Sequence, residues 1–201
     1  MSALHPAPTA HPVHELIAGR WSPYVFDERP IPAADLHAIF EAARWAPSSY
    51  NEQPWRFIVA TKSDPEAFGR ILSCLVDANQ AWAKHAPVLA LGCYMRMFAK
   101  NGQENKAAAH DLGQAAALLS IEAASRGVAV HQMIGILPDR ARELFAVPAD
   151  AEVLTALALG CPRPPSETHG DLASRDVSRR PRQSLSQIVF GDGWGKAGPV
   201  R

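Results

Sequence analysis

Two short segments carry side chains able to hold an anion and a polar ring. In Arg20-Trp21-Ser22-Pro23-Tyr24-Val25-Phe26 a guanidinium and a hydroxyl stand two positions apart, ahead of an anchoring aromatic. Arg can fork two oxygens of a phosphate while Ser adds a third donor, as an anion site needs. The plainer alternative is a solvated Arg before a turn. The second segment, Ala46-Pro47-Ser48-Ser49-Tyr50-Asn51-Glu52-Gln53-Pro54-Trp55-Arg56-Phe57, is dense in small donors and joins an expected helix to an expected strand. Its hydroxyls and amides can hydrogen-bond a polar ring edge and a hydroxylated chain, or they can simply make a turn. A serine hydrolase is excluded, because no G-x-S-x-G elbow surrounds Ser48 or Ser49.

Elements that could position these segments alternate along the chain. Leu36, Ile39, Phe40 and Ala43 form the apolar stripe of a helix over Asp35–Trp45, which Pro47 ends. Phe57 to Ala60 reads as a buried strand, and Ser63-Asp64-Pro65 supplies an N-cap and a first-turn Pro for a helix that turns Phe68, Ile71, Leu72 and Leu75 inward. Val88 to Cys93 is a second strand. From Ala107 to Arg126 runs a long Ala- and Leu-rich helix, apolar at Leu112, Ala116, Leu119 and Ala123 and stopped by Gly127. Val128 to Val130 and Val153 to Leu159 are further strands, with a surface helix over Pro138–Phe145 between them. From Pro162 to Arg182 the polar, Pro- and Arg-rich chain is expected to run over a surface.

Twenty Lys and Arg balance twenty Asp and Glu, which leaves no excess positive charge to hold nucleic acid by counterion release. No charge-free apolar run of membrane-spanning length occurs, and Met1 to His14 lacks an apolar h-region, so a cytoplasmic protein is expected. Cys74, Cys93 and Cys161 are odd in number and far apart, which argues for buried thiols rather than disulfides or a metal site. His5, His11 and His14 stand among Pro6, Pro8 and Pro12, so residues 1–15 are expected as a flexible arm rather than a metal site. Residues 16–190 make the single domain, and 191–201 a flexible tail. Gly191-Asp192-Gly193-Trp194-Gly195 in that tail is no dinucleotide fingerprint, since it does not join a strand to a helix.

The sequence resembles the FMN-dependent nitroreductases. Their opening pattern of Arg, a variable residue, Ser, any residue, a cation, any residue and Phe falls on Arg20 to Phe26. Their signature of Pro, Ser, Ser, any residue, Asn, any residue, Gln, Pro and Trp is matched completely from Pro47 to Trp55. Asn79, the helix around Asp111, Gly127 before His131-Gln132-Met133-Ile134-Gly135, the run Ala156 to Pro162 and the closing pair Arg180 and Arg182 follow in the right order. The resemblance spans about residues 16 to 190.

The resemblance implies an α+β nitroreductase-like fold with a mixed central sheet flanked by helices, in a domain-swapped homodimer with FMN at the subunit interface. Arg20, Ser22 and Arg182, with Arg180 behind them, would bind the phosphate. Pro47, Ser48, Ser49 and Asn51 would come from the partner, and Trp21, Tyr24 and Asn79 would adjoin the flavin. Backbone around Gln132, Met133, Ile134 and Gly135 would face flavin N5. NAD(P)H is the implied co-substrate, a small flat nitroaromatic or quinone the implied acceptor, and no side chain is assigned as catalytic.

Two positions depart from the family. Tyr24 and Trp82 stand where its members carry cations near flavin N1/O2, with Lys84 or Arg96 as candidate replacements. Their loss makes reduction harder and motivates a competing reading, a flavin-binding carrier or sensor without efficient NAD(P)H turnover. In a third reading the tryptophans are packing residues with no ligand, which is the expectation adopted for Trp45 and Trp55.

Overall fold

The computed structural model describes residues 6–163, 171–176 and 181–199. In chain order the elements are α1 (Glu15–Gly19), α2 (Ala33–Arg44), β1 (Trp55–Thr61), α3 (Pro65–Leu72), α4 (Asp77–Ala83), β2 (Val88–Met95), α5 (Ala108–Ser125), β3 (Ala129–Met133), α6 (Pro138–Phe145), β4 (Ala151–Gly160) and α7 (Asp171–Asp176). Short 3-10 turns lie at Ser49–Asn51 and Leu185–Gln187.

The sheet runs β1-β2-β4-β3. The α+β class stands, but the mixed sheet is corrected: every pairing among the described strands is antiparallel. Val88 to Cys93 is buried throughout because β2 is a central strand covered on both faces. Its side chains alternate between two cores. Leu89, Leu91 and Cys93 join Ala156 and Ala158 of β4 against α3, α4 and α6. Val88 and Ala90 join Leu157 and Leu159 against α2 and α5.

The helices end where local chemistry ends them. Asp64 accepts from the Ala67 N–H at 3.0 Å and caps α3, as Ser63-Asp64-Pro65 predicts. Gly127 takes φ +72°, and the Gly127 and Val128 N–H groups reach back to Ala124 and Ala123, a Schellman closure of α5. Burial pushes the Cys93 thiol up to about 11; Cys74 is also buried and Cys161 half-buried.

Two readings need correction or addition, at Trp45 and at α4. Trp55 is buried but Trp45 is 71% exposed. Ile39 and Ala43 fill the inward stripe of α2, and Trp45, at its C-cap, turns out to hydrogen-bond Glu41. The sequence reading has no counterpart of α4, whose N-cap Val76 makes no side-chain cap and whose buried residues, Trp82 and Ala83, come only at its end. Within the expected arm, His14 caps α1 through the Leu16 N–H, and Ala7 donates to the Ala18 carbonyl. Within the expected tail, Phe190 bridges to Ala197 and its ring meets that of Trp194. No helix of the described residues is long and apolar enough to cross a membrane.

Candidate functional site

The phosphate candidates come from opposite ends of the chain. Arg20 directly follows α1, whose last turn it closes by donating its N–H to Leu16. Burial, and then the nearby Arg182 guanidinium, lower the pKa of Arg20, although a guanidinium keeps its proton throughout the working range. The two guanidinium groups thus lie within electrostatic reach of one another, Arg20 half-buried and Arg182 exposed, and a fork of this kind is chemically suited to a phosphate. Arg180 lies outside the described residues. Ser22 is exposed two residues on from Arg20. Trp21 and Arg20 also line a cleft of about 600 Å³ between α1 and the C-terminal half of α5.

Tyr24 is anchored by a residue the sequence reading missed. The Asp176 carboxylate, 3% exposed, accepts the Tyr24 and Val25 N–H groups at 3.0 Å each. Burial raises the Asp176 pKa, against the two N–H bonds that lower it. Next to it, the Arg175 guanidinium lies 5.2 Å from the Tyr24 ring centroid. A positive charge therefore reaches this neighbourhood from α7. Lys84 is exposed at the C-cap of α4, and Arg96 donates to the Ala149 carbonyl.

Trp82 points into the core rather than into open space. It is 2% exposed, with ring centroids 5.3 Å from Tyr24 and 4.4 Å from His131. His131 donates from Nδ1 to the Pro23 carbonyl at 2.8 Å and so ties β3 to the Arg20–Phe26 segment.

Beyond β3 the backbone is positioned from α4. Asn79 Nδ2 donates to the Gly135 carbonyl at 2.9 Å, and a Cβ on Gly135 would lie 2.5 Å from that nitrogen. Glycine at 135 thus serves the Asn79 contact. Gln132 turns its side-chain amide to α5, Nε2 donating to Ala116 O and Ser120 Oγ. Met133 is buried, its carbonyl taken by the Thr155 hydroxyl, while Ile134 is 78% exposed.

The loop before β1 is wound tightly by its own side chains. Tyr50, Asn51 and Gln53 have φ of 52°, 57° and 51°. Left-handed backbone at non-glycine residues costs of order 1 kcal/mol each, and Asn bears it best. Compensating bonds hold the turn: Ser48 Oγ accepts the Gln53 N–H, and Asp111 Oδ2 accepts the Ser49 N–H, both at 3.0 Å. Asp111, buried in the first turn of α5, is a second residue whose role the sequence reading missed. Pro47, Tyr50 and Asn51 are left facing outward.

These parts do not converge within one chain. The 47–54 loop enters β1, at one edge of the sheet, whereas Gln132 to Gly135 leave β3, at the other. Both lie toward the same end of the strands but are separated by three strand spacings, roughly 14 Å.

A four-stranded antiparallel sheet flanked by helices, with polar loops at its two edges, defines an α+β class. The family follows from comparison with known proteins: residues 17–161 match the Nitroreductase family model, and the chain belongs to that family. It is 32% identical over 161 residues to a Thermus thermophilus protein named NADH dehydrogenase, covering 66% of this chain and 78% of that protein. An oxygen-insensitive NADPH nitroreductase of Helicobacter pylori is 32% identical over 83 residues, 41% of this chain and 38% of that protein. A solved oxidoreductase containing FMN superposes with a TM-score of 0.86 at 34% identity, over 93% of this chain and 95% of that one.

Proposed function

We propose that this chain is an FMN-dependent oxidoreductase that takes electrons from NAD(P)H and passes them to a small flat acceptor of nitroaromatic or quinone type, the two binding in turn. The observation that carries the reading is the likeness, at a TM-score of 0.86 and 34% identity, to a solved oxidoreductase containing FMN, with Arg20 and Arg182, whose charges lie within electrostatic reach of one another, as the phosphate candidates. Support comes from the named relatives in Thermus and Helicobacter and from the FMN-containing neighbour. FMN would supply the two-electron chemistry, and the protein would supply binding and orientation. Arg20, Ser22 and Arg182 would take the phosphate. The backbone from Gln132 to Gly135, held by Asn79, would face the ring edge.

The working unit is a homodimer with shared sites. Ser49 and Asn51 stand at the sheet edge opposite Ile134 and Gly135, so a second copy can bring its loop to the first copy's phosphate site. Sedimentation with and without FMN tests this, and a monomer holding FMN stoichiometrically would sink it.

The aromatic cluster of Tyr24, Trp82 and His131 favours the second reading, a flavin-binding carrier or sensor, because packed rings stand where charge would aid reduction. Arg175 over Tyr24 weighs against it by returning a cation. Steady-state NAD(P)H oxidation by the yellow, FMN-loaded protein decides: sustained turnover with a nitroaromatic or quinone supports the oxidoreductase. Bound flavin without turnover supports the carrier.

A further inference from the structure

We propose that Tyr50, Phe98 and Lys100 form the seat of the acceptor, and that they select flat aromatic molecules bearing one carboxylate or sulfonate. The inference deepens the reading above and rests on its placement of the 47–51 loop beside the flavin.

Tyr50 is 81% exposed, an unusual position for a large ring, and it stands in left-handed backbone between Ser49 and Asn51. The ring stands outside the two core clusters, against Phe98 and the Lys100 ammonium. The two rings meet edge to face with centroids 5.9 Å apart. Lys100 Nζ sits 4.3 Å from the Tyr50 centroid and 5.7 Å from that of Phe98, so one ammonium is held at the rim of both rings.

The support beneath this trio is built rather than incidental. Phe98 and Lys100 ride on a turn closed by Phe98 N–H to Gln103 O and Gly102 N–H to Phe98 O, with Met97 bridged to Glu104. Glu52 ties that turn to the loop by accepting the Ala99 N–H at 2.8 Å. The loop's carboxylate is thereby engaged on backbone, and no ion pair to Lys100 occurs among the described residues. Its ammonium keeps its hydrogen-bond donors for a ligand.

The charge count decides between ligands. Arg56 donates to the Gln53 and Trp55 carbonyls and Arg96 to Ala149, so the guanidinium groups of these two are engaged on backbone. A nucleotide diphosphate carries more charge than one lysine can meet. A single carboxylate or sulfonate on an aromatic ring matches one ammonium beside one exposed ring face.

The test is equilibrium dialysis of benzoate, benzenesulfonate and neutral benzamide against the FMN-loaded protein, a readout independent of turnover. Wild type should bind benzoate at least five-fold tighter than benzamide. Lys100→Gln should abolish that preference, Lys100→Arg should keep it, and Tyr50→Ala should weaken all three ligands. In turnover, the kcat/KM ratio of 4-nitrobenzoate to nitrobenzene should fall several-fold in Lys100→Gln. Equal binding of benzoate and benzamide by wild type overturns the proposal. So does a Lys100→Gln protein that raises KM for NADH or NADPH while leaving the acceptor ratio intact, since Lys100 would then serve the nucleotide phosphates. Lys100-dependent benzoate binding without any NAD(P)H turnover would overturn the reductase reading and leave the seat standing. Turnover of both nitro compounds with an unchanged ratio would do the reverse.

Discussion

The two edges of the sheet solve the problem of presenting polar atoms in opposite ways. Before β1, the 48–53 loop accepts strained backbone and is held by side chains spent on its own N–H groups, with Asp111 as the outside brace. Beside β3, the Arg20–Phe26 segment, α4 and α7 are held by buried aromatics and by one buried carboxylate. The first edge projects as a shaped surface between Ala46 and Trp55, which enter the core, and the second is continuous with the core along its length. Substitutions at the β1 edge should therefore change ligand binding more than folding, while those at the β3 edge should change both.

The largest expected effect separates ligand charge from fold on the β3 side. Arg20→Ala and Arg182→Ala should each weaken FMN by about 1.5–3 kcal/mol, ten-fold or more, while leaving riboflavin affinity nearly unchanged. Fluorescence titration with both flavins measures it, and equal losses would mean that the arginines hold the C-terminal segment instead. Next comes Gly135→Ala, which puts a methyl 2.5 Å from Asn79 Nδ2. Overpacking of this kind costs about 1–3 kcal/mol and should appear in thermal melts of the flavin-free protein. An unchanged melting temperature would detach Asn79 from the positioning of this backbone.

Asp111→Ala examines the other edge. The Ser49 N–H loses its acceptor at a half-exposed position where water can partly replace it, so the stability cost should be about 1 kcal/mol. FMN affinity should fall further than that, and Asp111→Asn, which keeps an acceptor oxygen, should recover much of it. A variant that melts much earlier yet binds FMN normally would reverse the proposed contrast between the edges.

The smallest effect is a pH dependence. Burial raises the Asp176 pKa in the folded state, so its contribution to stability is fully present below the unfolded carboxylate value and declines as pH rises through the raised one. Relative to wild type, Asp176→Asn should therefore gain melting temperature as pH is raised from 4 to 7. A difference that stays flat over that range would show that the two N–H bonds from Tyr24 and Val25 cancel the burial.

Much of the frame was legible in the sequence because it rests on local signals. The apolar run of β2, the stripe of α5 and its glycine stop are properties of neighbouring residues, and burial on both faces of a central strand leaves a plain mark. Trp45 was misjudged because ring size says nothing about which side of a helix end a residue falls on. The site was legible only in part, through the match from Pro47 to Trp55. The Asp176 anchor and the approach of Arg182 to Arg20 join residues too distant in sequence for spacing to reveal them. Asp111 did leave a signal, a charged residue directly beside the buried Leu112 in an otherwise Ala-rich helix. Such a residue is rarely buried without a partner to satisfy it.

The Asp176 anchor also sets a schedule for the growing chain. Its partners at Tyr24 and Val25 are made early, and 152 positions separate Tyr24 from Asp176. At roughly 5–20 residues per second, synthesis leaves that early segment without its acceptor for about 8–30 s. The four strands can pair within this time, since every pairing lies upstream of α7. The phosphate site proposed above cannot form, because both the carboxylate that fixes Tyr24 and the second arginine lie downstream of the sheet. On the proposed reading, FMN capture is thereby deferred until α7 is made, and a chain that stops short of α7 lacks both that anchor and Arg182.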